Sequence, residues 1–144
     1  MKHDMSIILA VAMLLGACAV PIATVPDAKE QVRLSARMVN LSSAVDSYFS
    51  DLAEAPIDSD IAILQNATRN DPQLLAQEFN AYVLKVQFQN PYAVLLLCSK
   101  DGKRAIMEDA GCSASLDRQV TDAVPCEFTL HVRQNCQVEG AGPQ

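Results

Sequence analysis

The chain has 144 residues, half of them apolar, a formal net charge of −6 and no tryptophan. An acidic balance of this kind offers no electrostatic footprint for nucleic acid and no basic patch for anionic lipid head groups. With aromatic residues at only 5%, a sugar-binding platform of stacked rings is also disfavoured.

In chain order, the first element is an apolar run from Ile7 to Leu15, preceded by Lys2 and the α-amino group. It is shorter than the ~20 apolar residues that a spanning helix needs. A charged start, a short apolar core and then small residues form the pattern of a secretory signal peptide. The segment Leu15-Gly16-Ala17-Cys18 resembles the lipobox of bacterial lipoproteins. That resemblance, which covers only the first 18 residues, implies cleavage before Cys18, a diacylglyceryl group on its thiol and acylation of the new amino group. Residues 1–17 are then a removed leader, and Cys18 carries the lipid, palmitate among its chains. Each buried CH₂ contributes ~0.8 kcal/mol to membrane affinity, so several chains anchor stably where one does not. Ala19, in place of an aspartate, resembles the sorting signal for the outer membrane, with the protein expected to face the periplasm. Residues 18–26 form the lipidated cysteine and a short tether with Pro21 and Pro26. At ~3.1 Å per residue the tether reaches roughly 25 Å, which keeps the folded part close to the membrane.

A single domain is expected over residues 27–138, with a flexible tail over 139–144. Asp27 and Glu30 have the spacing of a capping box at the start of a first helix. Leu34, Met38, Leu41, Val45, Tyr48 and Leu52 then recur at spacings of 4, 3, 4, 3 and 4, an apolar stripe that Pro56 ends. Val32, Val39 and Phe49 broaden the stripe, which suits a core-facing helix better than a narrow coiled-coil seam. Arg33, Arg37, Asp46 and Asp51 fall off it and are expected in solvent. A short second helix from Asp58 or Ser59 buries Ile61 and Leu64. Asp71-Pro72 starts a third, with Leu75, Phe79, Tyr82 and Val86 on one face and Leu84 and Phe88 beside it, ended at Asn90-Pro91.

Beyond Pro91 the period changes. Tyr92 to Cys98 is continuously apolar, so both faces of this strand must be covered. Lys100-Asp101-Gly102 is turn chemistry, and Arg104 to Met107 returns as a hairpin partner. Glu108 to Asp122 reads as polar and irregular. Phe128, Leu130 and Val132 alternate with Thr129, His131 and Arg133, the pattern of a half-buried strand. The expected class is therefore α+β: three N-terminal helices packed on a small antiparallel sheet of about three strands.

With Cys18 taken by lipid, Cys98, Cys112, Cys126 and Cys136 remain, an even set that reads as a disulfide framework in an exported chain. Intervening lengths of 13, 13 and 9 residues contain no CxxC pair, which speaks against zinc. The turn at Lys100 to Gly102 favours Cys98–Cys112 with Cys126–Cys136. The second of these requires the last strand to bend, since a straight one holds its ends more than ~20 Å apart. If it stays straight, the crossed pairing Cys98–Cys126 with Cys112–Cys136 takes over. No metal site and no cofactor are expected.

Catalytic patterns are missing from the sequence. There is no G-x-S-x-G elbow, P-loop or dinucleotide glycine motif. His131 is the one histidine after the leader and lies on a polar strand face without an evident partner to tune it. Glu54, Asp58 and Asp60, like Glu108 and Asp109, are explained as caps and solvated loops. The functional expectation is a non-enzymatic envelope lipoprotein, held by its lipid anchor, that binds another protein near the membrane. An accessory subunit of a secretion, conjugation or envelope-assembly machine is one such role. The alternative is an inhibitor or immunity lipoprotein that blocks a periplasmic enzyme or toxin. A small hydrolase of envelope polymers is less favoured. Replacing Cys18→Ser is expected to abolish radiolabelled palmitate incorporation and leave the unprocessed precursor; normal cleavage and lipidation of the variant would refute the anchor.

Overall fold

The computed structural model describes residues 26–52, 54, 58–75, 77–133 and 135–140. The leader, Cys18, the tether before Pro26, Pro56 and residues 141–144 lie outside these residues. Asp27 caps α1 (Ala28–Ser50), its carboxylate accepting the Glu30 N–H at 2.8 Å and so satisfying one of the free donors of the first turn. The stripe is internal: Leu34, Met38, Leu41 and Val45 are completely buried and Phe49 nearly so, with Tyr48 and Leu52 packed alongside. Fully burying a side chain of this size contributes roughly 1.5–3 kcal/mol. Val32 departs from the expectation: it is 72% exposed, because its place two residues before Leu34 turns it to the opposite face of the helix.

Ser59 caps α2 (Asp60–Ala67), its hydroxyl accepting the Ala62 N–H at 3.4 Å. Ile63 and Leu64 are the buried pair, whereas Ile61, expected inside, is 58% exposed. A third α-helix does not form over residues 72–86. Pro72–Leu75 and Gln77–Ala81 are short 3₁₀ turns, the first opened by Asp71, whose carboxylate accepts the Gln73 N–H at 3.2 Å. The chain then enters β1 (Val83–Phe88). Leu84, Val86 and Phe88 face the core while Lys85 and Gln87 alternate with them. This period of two suits the β-branched valines and lets the backbone pair with β2.

The sheet is an antiparallel meander of four strands, β1, β2 (Ala93–Cys98), β3 (Ala105–Asp109) and β4 (Arg118–Gln119), in that order. Val83 pairs with Cys98 and Phe88 with Ala93. The β2–β3 hairpin turns at Gly102, whose φ of 69° is the left-handed conformation expected of this turn. A second, two-stranded sheet pairs β5 (His131–Val132) with β6 (Val138–Glu139), which runs one residue past the expected domain end.

β2 is buried at every position. Ala93, Leu95 and Leu97 pack with the helices, where Phe49 and Phe88 stack with ring centroids 4.9 Å apart. Val94, Leu96 and Cys98 face the other way, into clusters completed by Val120, Cys126, Phe128 and Leu130. The second cover is thus an extended C-terminal segment, without a helix, laid across the sheet. That path brings Cys126 next to Cys98 and Cys136 next to Cys112, each pair bridged with Cα atoms 5.7 and 5.5 Å apart. The favoured local pairing is therefore corrected to the crossed one: the expected strand over 128–132 narrows to His131–Val132, Leu130 and Val132 pack with Val94 of β2, and the β5–β6 hairpin carries Cys136 to Cys112. Each bridge closes a loop of more than twenty residues, worth roughly 3–4 kcal/mol in the chain-entropy account. Met38→Ala or Leu41→Ala is expected to lower unfolding free energy by about 2–5 kcal/mol in urea titrations; an unchanged midpoint would contradict an internal stripe.

Candidate functional site

Two features beyond the core carry unusual chemistry: a group of carboxylates where α1 meets β3, and an apolar groove beside α2. The first begins with Glu108 and Asp109, which the sequence reading leaves in a solvated loop. Both are completely buried at the end of β3. Glu108 accepts a charge-assisted bond from Arg118 at 2.6 Å, the Thr129 hydroxyl at 2.6 Å and the Thr129 N–H at 2.7 Å. It fastens the C-terminal segment to the sheet. Asp109 Oδ1 accepts the Asp117 N–H at 3.1 Å, and its Oδ2 takes the Gly111 N–H at 3.1 Å and the Ser42 hydroxyl of α1. Asp117 answers by accepting the Ala110 N–H at 2.8 Å, so the two carboxylates close the loop between them reciprocally.

Gly111 is the residue that permits this approach. Its φ is 70°, and a Cβ there would stand 2.9 Å from the Ser42 carbonyl carbon and oxygen. Asp46, expected in solvent, is half-buried and accepts the Ala93 N–H at 2.8 Å, tying α1 to the start of β2. Burial raises its pKa to about 6, aided by the charge of Asp109 and opposed by the Ala93 bond. Burial likewise raises Asp109, with Asp117 adding repulsion and the Ser42 bond opposing, and burial raises Asp117 against its bond to Ala110. Among the described residues no buried side-chain oxygen or nitrogen lacks a partner. These carboxylates are held by the donors that position the backbone, which makes the group a clamp.

Of the other sequence candidates, His131 is exposed on β5, and Asp101 accepts from Ser99 at 2.6 Å and Lys103 at 3.1 Å within its turn. Asp60 sits in the first turn of α2, and Glu54 and Asp58 are exposed. Among the described residues, one group has the makings of metal ligation: a carboxylate oxygen of Asp46 and the sulfurs of Cys112 and Cys136 lie within 4.8 Å of one another. While the two sulfurs share a disulfide, the thiolates a metal requires do not exist.

The second feature is a groove of about 430 Å³ between α2, the 3₁₀ turns and β1, lined by the apolar Ile61, Leu64, Leu75, Phe79, Tyr82 and Leu84 together with Asn80. Tyr82 is fixed at its edge by donating to Glu30 at 2.8 Å; burial and this bond push its pKa up to about 12. Arg33 bridges Glu30 and Glu78 at 4.0 Å each, so a polar rim borders the apolar floor. An apolar centre with a charged margin is the usual anatomy of a recognition surface. The groove is not legible in the sequence, because its walls come from separate elements and residues 72–86 have the spacing of a helix. The exposed Ile61 is the only local signal, and it looks like an ordinary core position in the sequence. No helix among the described residues is long and apolar enough to cross a membrane. No protein-family model matches the chain, and no curated protein or solved structure matches it.

The three raised carboxyl groups bind protons more tightly folded than unfolded. Their contribution is therefore present at low pH and lost as pH rises, for Asp46 through about 6. Unfolding free energy is expected to increase as the pH falls from 7.5 to 5. Asp46→Asn, which keeps an acceptor for Ala93, should flatten that slope in denaturant titrations; a slope of opposite sign would contradict the burial of this group.

Proposed function

We propose that the protein is a non-enzymatic, lipid-anchored envelope lipoprotein that binds another protein close to the membrane through the groove between α2 and β1. The observation that carries this reading is the groove itself: an apolar floor within reach of solvent, with Ile61 58% exposed, on a chain whose long helix buries its own stripe. Isolated apolar residues on a surface are ordinary, but a concave set with a polar rim has the form of a partner site. A volume of this size accommodates a few side chains, such as those that one face of an amphipathic helix or a short extended segment would insert. The lipobox resemblance of residues 15–18 supports the anchor and the envelope location. The clamp carboxylates support a binding role over a hydrolytic one, because each is engaged in holding the loop, the sheet or the C-terminal segment.

A second reading, an inhibitor or immunity lipoprotein, is supported by the net charge of −6, which favours a basic target. Both readings place an envelope protein on the groove and differ in whether that protein is an assembly component or an enzyme or toxin. A photo-crosslinking residue at position 61 is expected to trap one envelope protein in intact cells, identifiable by mass spectrometry. Ile61→Glu should remove that partner from an affinity purification and shift stability by no more than about 0.5 kcal/mol, as for an exposed position. Retention of the partner by a folded Ile61→Glu protein would refute the groove as the interface.

A further inference from the structure

The Cys112–Cys136 bridge differs from its companion in two respects. Cys98 is completely buried and Cys126 is 8% exposed, whereas Cys112 and Cys136 are both partly exposed to solvent. In addition, the Asp46 carboxylate lies beside the two sulfurs, with all three donor atoms within 4.8 Å. That spread suits one small cation, given Zn–S and Zn–O distances of about 2.3 and 2.0–2.2 Å. We infer that opening Cys112–Cys136 creates a binding site for zinc ion, with Cys112, Cys136 and Asp46 as its three protein ligands.

Contacts other than the S–S bond also hold these ligands in place. Cys112 follows Gly111, which packs against the Ser42 backbone and donates to Asp109, within the loop that Asp109 and Asp117 close. Cys136 lies in the β5–β6 hairpin, where its N–H reaches the Arg133 carbonyl at 2.9 Å. That hairpin is held down by Val132 and Val138 in the cluster with Val94 and Leu130, and by the Val132 N–H donating to Gln89 at 2.8 Å. The two Cα atoms, 5.5 Å apart, leave room for the sulfurs to separate to the ~3.8 Å that tetrahedral zinc requires. Asp46 has one oxygen fixed by the Ala93 N–H at 2.8 Å, the kind of outer bond that orients a ligating carboxylate. Two thiolates and one carboxylate suit a borderline-soft divalent cation, and the fourth position remains for water.

The chemistry balances with a dithiol reductant. The reductant gives up two electrons and closes its own disulfide, the Cys112–Cys136 bond breaks, and each sulfur takes a proton. Zinc then displaces both thiol protons to the buffer and binds the two thiolates with Asp46. The site is accordingly gated by redox state: closed as a disulfide, open to metal as a dithiol.

The test uses the mature chain with Cys18 lipidated, zinc ion as the probe and dithiothreitol at the lowest concentration that yields two titratable thiols per chain. Alkylation and peptide mapping are expected to place both thiols at Cys112 and Cys136, with the native circular dichroism retained. Reduced protein, freed of reductant, should hold one zinc per chain by elemental analysis, and oxidised protein none. Cobalt in place of zinc should give a thiolate charge-transfer band, and bound zinc should slow reoxidation by air. Asp46→Asn is expected to weaken zinc affinity at least about tenfold, as is Cys136→Ser, which lies on the exposed hairpin and tests the site without reduction. Thiols appearing first at Cys98 and Cys126, loss of the native spectrum on opening the bridge, zinc on the oxidised protein, or undiminished affinity in Asp46→Asn would each overturn the inference.

Discussion

The structure depends on one constraint: β2 is apolar at every position and so must be shielded on both faces. A helix covers one face with little difficulty, and α1 does so with a stripe of completely buried side chains. The other face has no helix to cover it. It is shielded by a mostly irregular C-terminal strip that, among the described residues, forms the short β5–β6 pair and a bridge of Pro125 to Arg104. A strip of this kind buries too little surface to order itself, because each residue fixed costs about 1–2 kcal/mol of conformational entropy. It must be fastened at several points, and much of the remaining chemistry of the chain is that fastening.

Three kinds of fastening are visible. The two disulfides join the strip to β2 at Cys98 and to the loop after β3 at Cys112. Glu108 reaches through to Thr129 and Arg118, and Gln89 holds the Leu130 carbonyl and the Val132 N–H. Asp109, Asp117 and Ser42 lock the loop that carries Cys112 against α1. Buried carboxylates are costly unless fully bonded, and here the bonds are supplied mainly by backbone donors and hydroxyls. Burial without a matching number of cations pushes Asp46, Asp109 and Asp117 upward in pKa. The clamp therefore ties the fold to proton concentration.

The groove follows from the same economy of elements. With α1 occupied by the sheet, α2 is too short to close over β1 fully, and the 3₁₀ turns leave Ile61, Leu75 and Phe79 around an open depression. The groove and the carboxylate clamp lie on different parts of the molecule, the first on the α2 and β1 side and the second where α1 meets β3. A partner seated in the groove, as proposed, would leave the clamp untouched.

The sequence by itself determined whatever is local or periodic. Asp27 and Ser59 as caps, the α1 stripe, the Gly102 turn and the need to cover both faces of Tyr92 to Cys98 all follow from neighbouring residues and their spacing. Tertiary structure decided the rest, because the competing choices are locally close in energy. Residues 83–88 satisfy a helical spacing and a strand alternation together, and the long edge of β2 selected the strand. The four cysteines allow three pairings, and the path of residues 127–132 across the sheet selected the crossed one. Glu108 and Asp109 read as solvated because charge normally is; their partners Thr129, Asp117 and Ser42 come together only once the sheet, loop and helix have docked. A side chain's burial and bonding depend on distant segments meeting, and no window of sequence contains that meeting.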